Sequence, residues 1–120
     1  MNAKEKLKDI SISNNKAKMI ENAPACIIVC GDKCVQGLQE LLIEDCSAAT
    51  QNMLLAIHGL ELGAVWCGVV LNSEWYQHLI DILKLPDKVI PISVISLGYP
   101  NEVRKIENRF EPIKVHNNVW

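Results

Sequence analysis

The stretch from Glu44 to Val69, EDCSAATQNMLLAIHGLELGAVWCGV, constrains this chain more than any other. Asp45 or Ser47 is placed to cap a helix there, and Glu44 and Asp45 suit the positive end of its dipole. Between Ala48 and Leu62 the apolar residues Met53, Leu54, Leu55, Ala56, Ile57, Leu60 and Leu62 fill more than one stripe. A helix apolar on nearly all sides must be covered on nearly all sides. A chain of 120 residues can wrap one such element, but a second subunit is the more economical cover. Gly63 is well placed to end the helix in the left-handed conformation. Residues 64–70 then read as a short strand.

The rest of the chain alternates helices and strands. Residues 2–10 form a Lys-rich helical start with Leu7 and Ile10 at i, i+3 spacing. Ser11 to Asn15 breaks it, and residues 17–22 suit another short turn of helix. Pro24 opens a β-branched strand over 25–30, which Gly31-Asp32 ends as a turn pair. Residues 33–43 are ambiguous, with Leu38, Leu41 and Leu42 suggesting a short helix or a loop. Ser73 caps a second helix whose apolar face is Trp75, Leu79, Ile80 and Leu83, stopped by Pro86. Residues 89–97 are a strand in which Pro91 is expected at an edge or at the strand start. Gly98-Tyr-Pro100 turns the chain into a charged tail ending in Val115-His-Asn-Asn-Val-Trp120, too apolar to stay free. The order predicts a layered α+β domain.

The length gives one domain, and the net charge of −2 offers no reason to expect nucleic acid. His58 and Glu61 interrupt the best membrane-span candidate, and the first residues lack the apolar core of a signal peptide, so a cytoplasmic protein with no membrane contact is expected. Five cysteines, at 26, 30, 34, 46 and 67, form no Cys-x-x-Cys pair. They read as small buried hydrophobes in a reducing compartment, with no metal site. His58 is expected as a hydrogen-bonded core residue, His78 on a solvated helix face, and His116 as structural. No Ser-His-Asp order, phosphate loop or paired carboxylate is visible, so no catalytic side chain is assigned.

Four blocks in order carry a more specific signal: Asp45-Cys-Ser-Ala-Ala-Thr-Gln-Asn-Met-Leu-Leu-Ala, Leu62-Gly-Ala-Val-Trp-Cys-Gly68, Leu85-Pro-Asp-Lys-Val-Ile-Pro91 and Leu97-Gly-Tyr-Pro100. With the ending Val115–Trp120 they resemble the nitroreductase family of flavin enzymes. That resemblance implies a three-layer α/β/α sandwich with a mixed or antiparallel sheet, assembled as an intertwined homodimer through the 45–62 helix and the C-terminal tail. It also implies FMN, bound with the backbone of Trp66, Cys67 and Gly68 along the flavin ring. Small residues there let the backbone approach a flat ring, and an N–H aimed at N5 stabilises developing charge. NAD(P)H would be the hydride donor and a nitro compound, quinone or similar small molecule the acceptor. Arg109 and Lys105 resemble the family's C-terminal cations that reach the FMN phosphate.

The resemblance begins downstream of the family's N-terminal third. The R-R-S-x-R motif, the P-S-x-x-N-x-Q-P-W block and the first strand have no counterpart in these 120 residues. The chain therefore corresponds to the C-terminal two thirds of the usual domain. Three alternatives stand at this point: a remodelled flavoenzyme, a dimeric binding or regulatory protein without flavin, and a piece of a longer protein.

Overall fold

The computed structural model describes residues 3–120. Its elements are α1 (Ala3–Ser11), a 3₁₀ helix (Asn15–Asn22), β1 (Ala25–Asp32), α2 (Gln39–Gly59), β2 (Gly63–Gly68), α3 (Glu74–Leu83), β3 (Val89–Gly98) and a short 3₁₀ turn (Pro112–Lys114). The strands form one sheet in the order β1-β3-β2, antiparallel throughout. Helices with an antiparallel sheet make the chain α+β.

Two cores flank that sheet. On one side Leu7, Ile10, Ala17, Ile20, Trp75 and Leu79 meet Cys67, Val69 and Val94. On the other, Leu42, Cys46 and Ile57 of α2 meet Val29, Ile90, Ile92 and Ile95. Ile92 and Ile95 are three residues apart and yet share a core, which a regular strand of period two forbids. A bulge resolves this: Val29 pairs with Ser93 and Cys30 with Pro91, so Ile92 is the extra residue. It keeps Ile90 and Ile92 on the α2 side together with Ile95.

The bulge also accommodates Pro91. Pro91 lies buried in the central strand, not at an edge or at the strand start. The missing N–H is tolerated because the ladder is already irregular there and β2 ends its pairing at Ser93. Likewise Gly31 and Asp32 do not leave the sheet; they pair with Ile90 and Val89. Gly31 serves packing instead, because a Cβ there would stand 2.6 Å from Leu42 Cγ. The turn follows at Asp32, whose side chain accepts from Cys34 N–H at 2.8 Å.

Helix α2 starts well before Asp45 and Ser47, at Gln39, with no side-chain cap. Leu42, Cys46, Thr50 and Ile57 are its buried stripe, and Leu42 needs the extra first turn to reach Gly31. Thr50 Oγ1 donates to the Cys46 carbonyl at 2.7 Å and lies 2.8 Å from Ser93 Oγ, so the buried hydroxyls satisfy one another. Gly63 is not the left-handed terminator; it is the first residue of β2, and Glu61 takes φ 61° in its place. Leu62 N–H donates to Ile57 and Glu61 N–H to His58, the paired bonds of a Schellman ending. Helix α3 ends the same way at Lys84, φ 52°, two residues before Pro86.

The helix over 2–10 is present from Ala3; Asn2 lies outside the described residues. Its last carbonyls are satisfied from α3: Trp75 Nε1 donates to Ile10 O at 2.7 Å, and His78 Nε2 lies 2.7 Å from Asp9 O. His78 is thus half-buried against α1 and not on a solvated face. In the tail every residue from Asn101 to Trp120 is exposed within this one chain. Its contacts are local, such as His116 stacked on Trp120 at 4.3 Å.

Candidate active site

Strand β2 has β3 on one side and no strand on the other among the described residues. Val69 N–H donates to Ile92 O at 3.0 Å, and the register continues unbroken to Gly63 opposite Gly98. In an antiparallel ladder this alternation turns Cys67 and Val65 inward to β3, leaving the N–H and C=O of Gly68, Trp66 and Ala64 facing outward. Along that free edge runs a cleft of about 520 Å³. Its walls are Val65–Gly68, the segment holding Ser13, Asn14, Lys16 and Met19, and the start of α3 at Ser73, Glu74 and Trp75.

The sequence positions these walls through simple devices. Asn14 Oδ1 accepts from Lys16 N–H at 3.0 Å and starts the 3₁₀ helix, which Ala17 and Ile20 anchor in the core. Ser73 Oγ accepts from Tyr76 N–H at 3.1 Å and fixes the start of α3, as expected. At Gly68 an added Cβ would meet no atom within 4 Å, so open space stands directly over this backbone.

Of the residues that the sequence singles out, Trp66, Cys67 and Gly68 come together in the cleft. Cys67 is buried, its Sγ 3.9 Å from Met19 Sδ, and burial pushes its thiol above the ordinary value. It is therefore a protonated wall residue at neutral pH. Lys105 and Arg109 are not brought to this cleft. They lie on the exposed tail, where Arg109 pairs with Glu107 at 3.5 Å. His58 is exposed, not a core residue, and lines a second groove of about 1180 Å³ with Glu61–Val65, Ser96–Gly98 and Arg104. Cys26 and Cys30 are half-buried on β1, Cys34 is exposed, and Cys46 is buried on the core face of α2. Lys16, which the sequence did not single out, also lines the cleft.

The outward Trp66 and Gly68 backbone suits the edge of a flat heterocycle that both donates and accepts hydrogen bonds. The cleft's volume is that of a small-molecule site. The residues present thus fit the ring end of a flavin.

The family model "Nitroreductase family" matches residues 2–99, and the chain belongs to that family. The chain is 38% identical over 117 residues to a Methanothermobacter thermautotrophicus protein provisionally named NADH dehydrogenase/NAD(P)H nitroreductase, a match covering 98% of this chain and 61% of the relative. An FMN-dependent nitroreductase from Clostridium difficile R20291 superposes with TM-score 0.86 and 31% identity, over 100% of this chain and 73% of that one. A provisionally named NADH oxidase from Clostridium acetobutylicum gives TM-score 0.91 and 30% identity, over 100% and 73%. The chain thus spans less than two thirds of the Methanothermobacter relative's length. No helix among the described residues is long and apolar enough to cross a membrane.

Proposed function

We propose that the chain is an FMN-dependent oxidoreductase domain that takes hydride from NAD(P)H and reduces a nitro, quinone or similar small-molecule acceptor. One observation carries the reading: the outward backbone of Trp66 and Gly68 at a free sheet edge, beside a cleft with open space over Gly68. When bound, FMN would supply the two-electron chemistry at its N5. The chain's own part is to hold the ring, with Gly68 and Trp66 N–H groups as donors and Met19 and Trp75 as apolar wall. A buried, protonated Cys67 neither competes as a nucleophile nor adds charge beneath the ring. No side-chain acid is needed for this reaction, in keeping with the absence of a catalytic constellation in the sequence.

The reading includes a homodimer in a three-layer arrangement, with residues 1–120 as the C-terminal two thirds of the usual domain. Leu41 and Leu55 of α2 and its C-cap Leu60 are 42%, 62% and 71% exposed, and Ile106 and Trp120 of the tail are fully exposed. A second copy would cover these surfaces, and would bring Lys105 and Arg109 to a phosphate that they do not reach within one chain. The test is reconstitution: purified protein incubated with FMN and desalted should retain flavin absorbance near one per chain. Protein that stays colourless refutes the flavin reading and leaves the alternative, a dimeric binding protein without flavin. Sedimentation decides the dimer separately, and Leu55→Glu should shift a dimer to monomer without unfolding it.

A further inference from the structure

The charged groups of the cleft take no part in that reading. Among the described lining residues Lys16 is the only cation and Glu74 the only acid. We propose that Lys16 is the phosphate-recognising cation of this cleft, contacting a phosphate monoester carried by the bound ligand. The proposal rests on the Trp66–Gly68 cleft being the ring site.

Three observations place it. Within one chain the cations that the resemblance implies for a phosphate, Lys105 and Arg109, lie outside the cleft, so Lys16 is the cation that the cleft itself supplies, alongside any that a second copy brings. Lys16 lines the cleft, with its backbone N–H bonded to Asn14 Oδ1 and buried Ala17 next to it in the chain. It forms no ion pair among the described residues, and its neighbours Ser13 and Asn14 make that wall polar while Val65, Trp66 and Val70 make the rest apolar. A cleft with an apolar part and one free ammonium suits a flat ring that carries a doubly charged phosphate. A lysine acts on phosphate as a point charge with three donors. Glu74 lines the same cleft, so its charge tempers phosphate affinity without replacing the cation.

Two ligands could bring that phosphate: the flavin mononucleotide itself, or the 2′-phosphate of NADPH. Paired titrations separate them, read by quenching of Trp66 and Trp75 fluorescence with no turnover required. FMN and riboflavin differ by the flavin phosphate, and NADP⁺ and NAD⁺ by the 2′-phosphate. Lys16→Gln is expected to lower one of the two affinity ratios about tenfold while leaving the phosphate-free partner unchanged. Lys16→Arg should preserve that ratio and Glu74→Gln should raise it. The ratio that collapses names the source. If Lys16→Gln changes neither ratio, the proposal is overturned. If wild-type protein binds neither flavin, the ring reading falls, and the NADP⁺/NAD⁺ ratio alone decides for or against Lys16.

Discussion

Gly68→Val separates the role of the cleft from the stability of the fold. Gly68 lies on an edge strand, has no positive φ, and faces open space where an added Cβ meets nothing within 4 Å. Valine suits an edge strand, so the variant should keep wild-type stability within about 0.5 kcal/mol. The branched side chain would stand in the space through which a flat ring approaches the Trp66 and Gly68 backbone. Two neutral backbone hydrogen bonds at about 1 kcal/mol each would be lost. That is roughly 2 kcal/mol, or about 30-fold in Kd. Flavin fluorescence titration against wild-type protein reads the affinity, and urea unfolding reads the stability. A Gly68→Val protein that binds FMN as tightly as wild type would refute the placement of the ring over this backbone. If its urea midpoint fell sharply instead, the space over Gly68 would not be open.

Glu61 holds the left-handed position of the α2 ending, so Glu61→Gly should stabilise the fold by about 1 kcal/mol, seen as a higher urea midpoint with unchanged m. Gly31→Ala drives a methyl into Leu42 and should destabilise by about 1–3 kcal/mol; adding Leu42→Val should recover part of that in a double-mutant cycle. Burial raises the thiols of Cys26, Cys30 and Cys67, and of Cys46 beside Asp45. In the folded chain they keep their protons to higher pH than in the unfolded one. The stability from this source is therefore whole below the ordinary thiol value of 9.0 and is lost as pH rises through the raised values. Urea midpoints measured from pH 8 to pH 10.5 should fall, and should fall less steeply in Cys67→Ala.

Local signals made most elements legible and misplaced their ends. Ser73 stops the chain from continuing as strand by offering a hydroxyl to Tyr76 N–H, a rule that acts within three residues. The ends of α2 obey longer-range partners. Its first turn exists because Leu42 fills the space left by Gly31 on a strand, which no window of sequence around Gln39 contains. Its last turn closes on Glu61, although Gly63 is the better residue for the conformation, because Leu62 must return to Ile57 to join the core. Pro91 misleads for a related reason: proline is excluded from a regular central ladder, and only the extra residue at Ile92 makes this ladder irregular.

The same distinction divides the site. Trp66-Cys67-Gly68 entered through the resemblance to the nitroreductase family, and the fold places all three along one cleft. The proposed cation Lys16 has no such signal, because a single lysine in a Lys-rich first quarter of the chain carries no pattern until Ala17 and Ile20 are seen to anchor its helix in the core. Helix α2 stands between these cases. Its apolarity on nearly all sides required extensive cover, yet the chain covers one stripe and leaves Leu55 and Leu60 in the open. The exposed apolar residues of α2 and of the tail are the surfaces on which the proposed homodimer rests. The composition of α2 thus asks for more cover than one chain gives it, and the sedimentation test of the proposed dimer decides what supplies the rest.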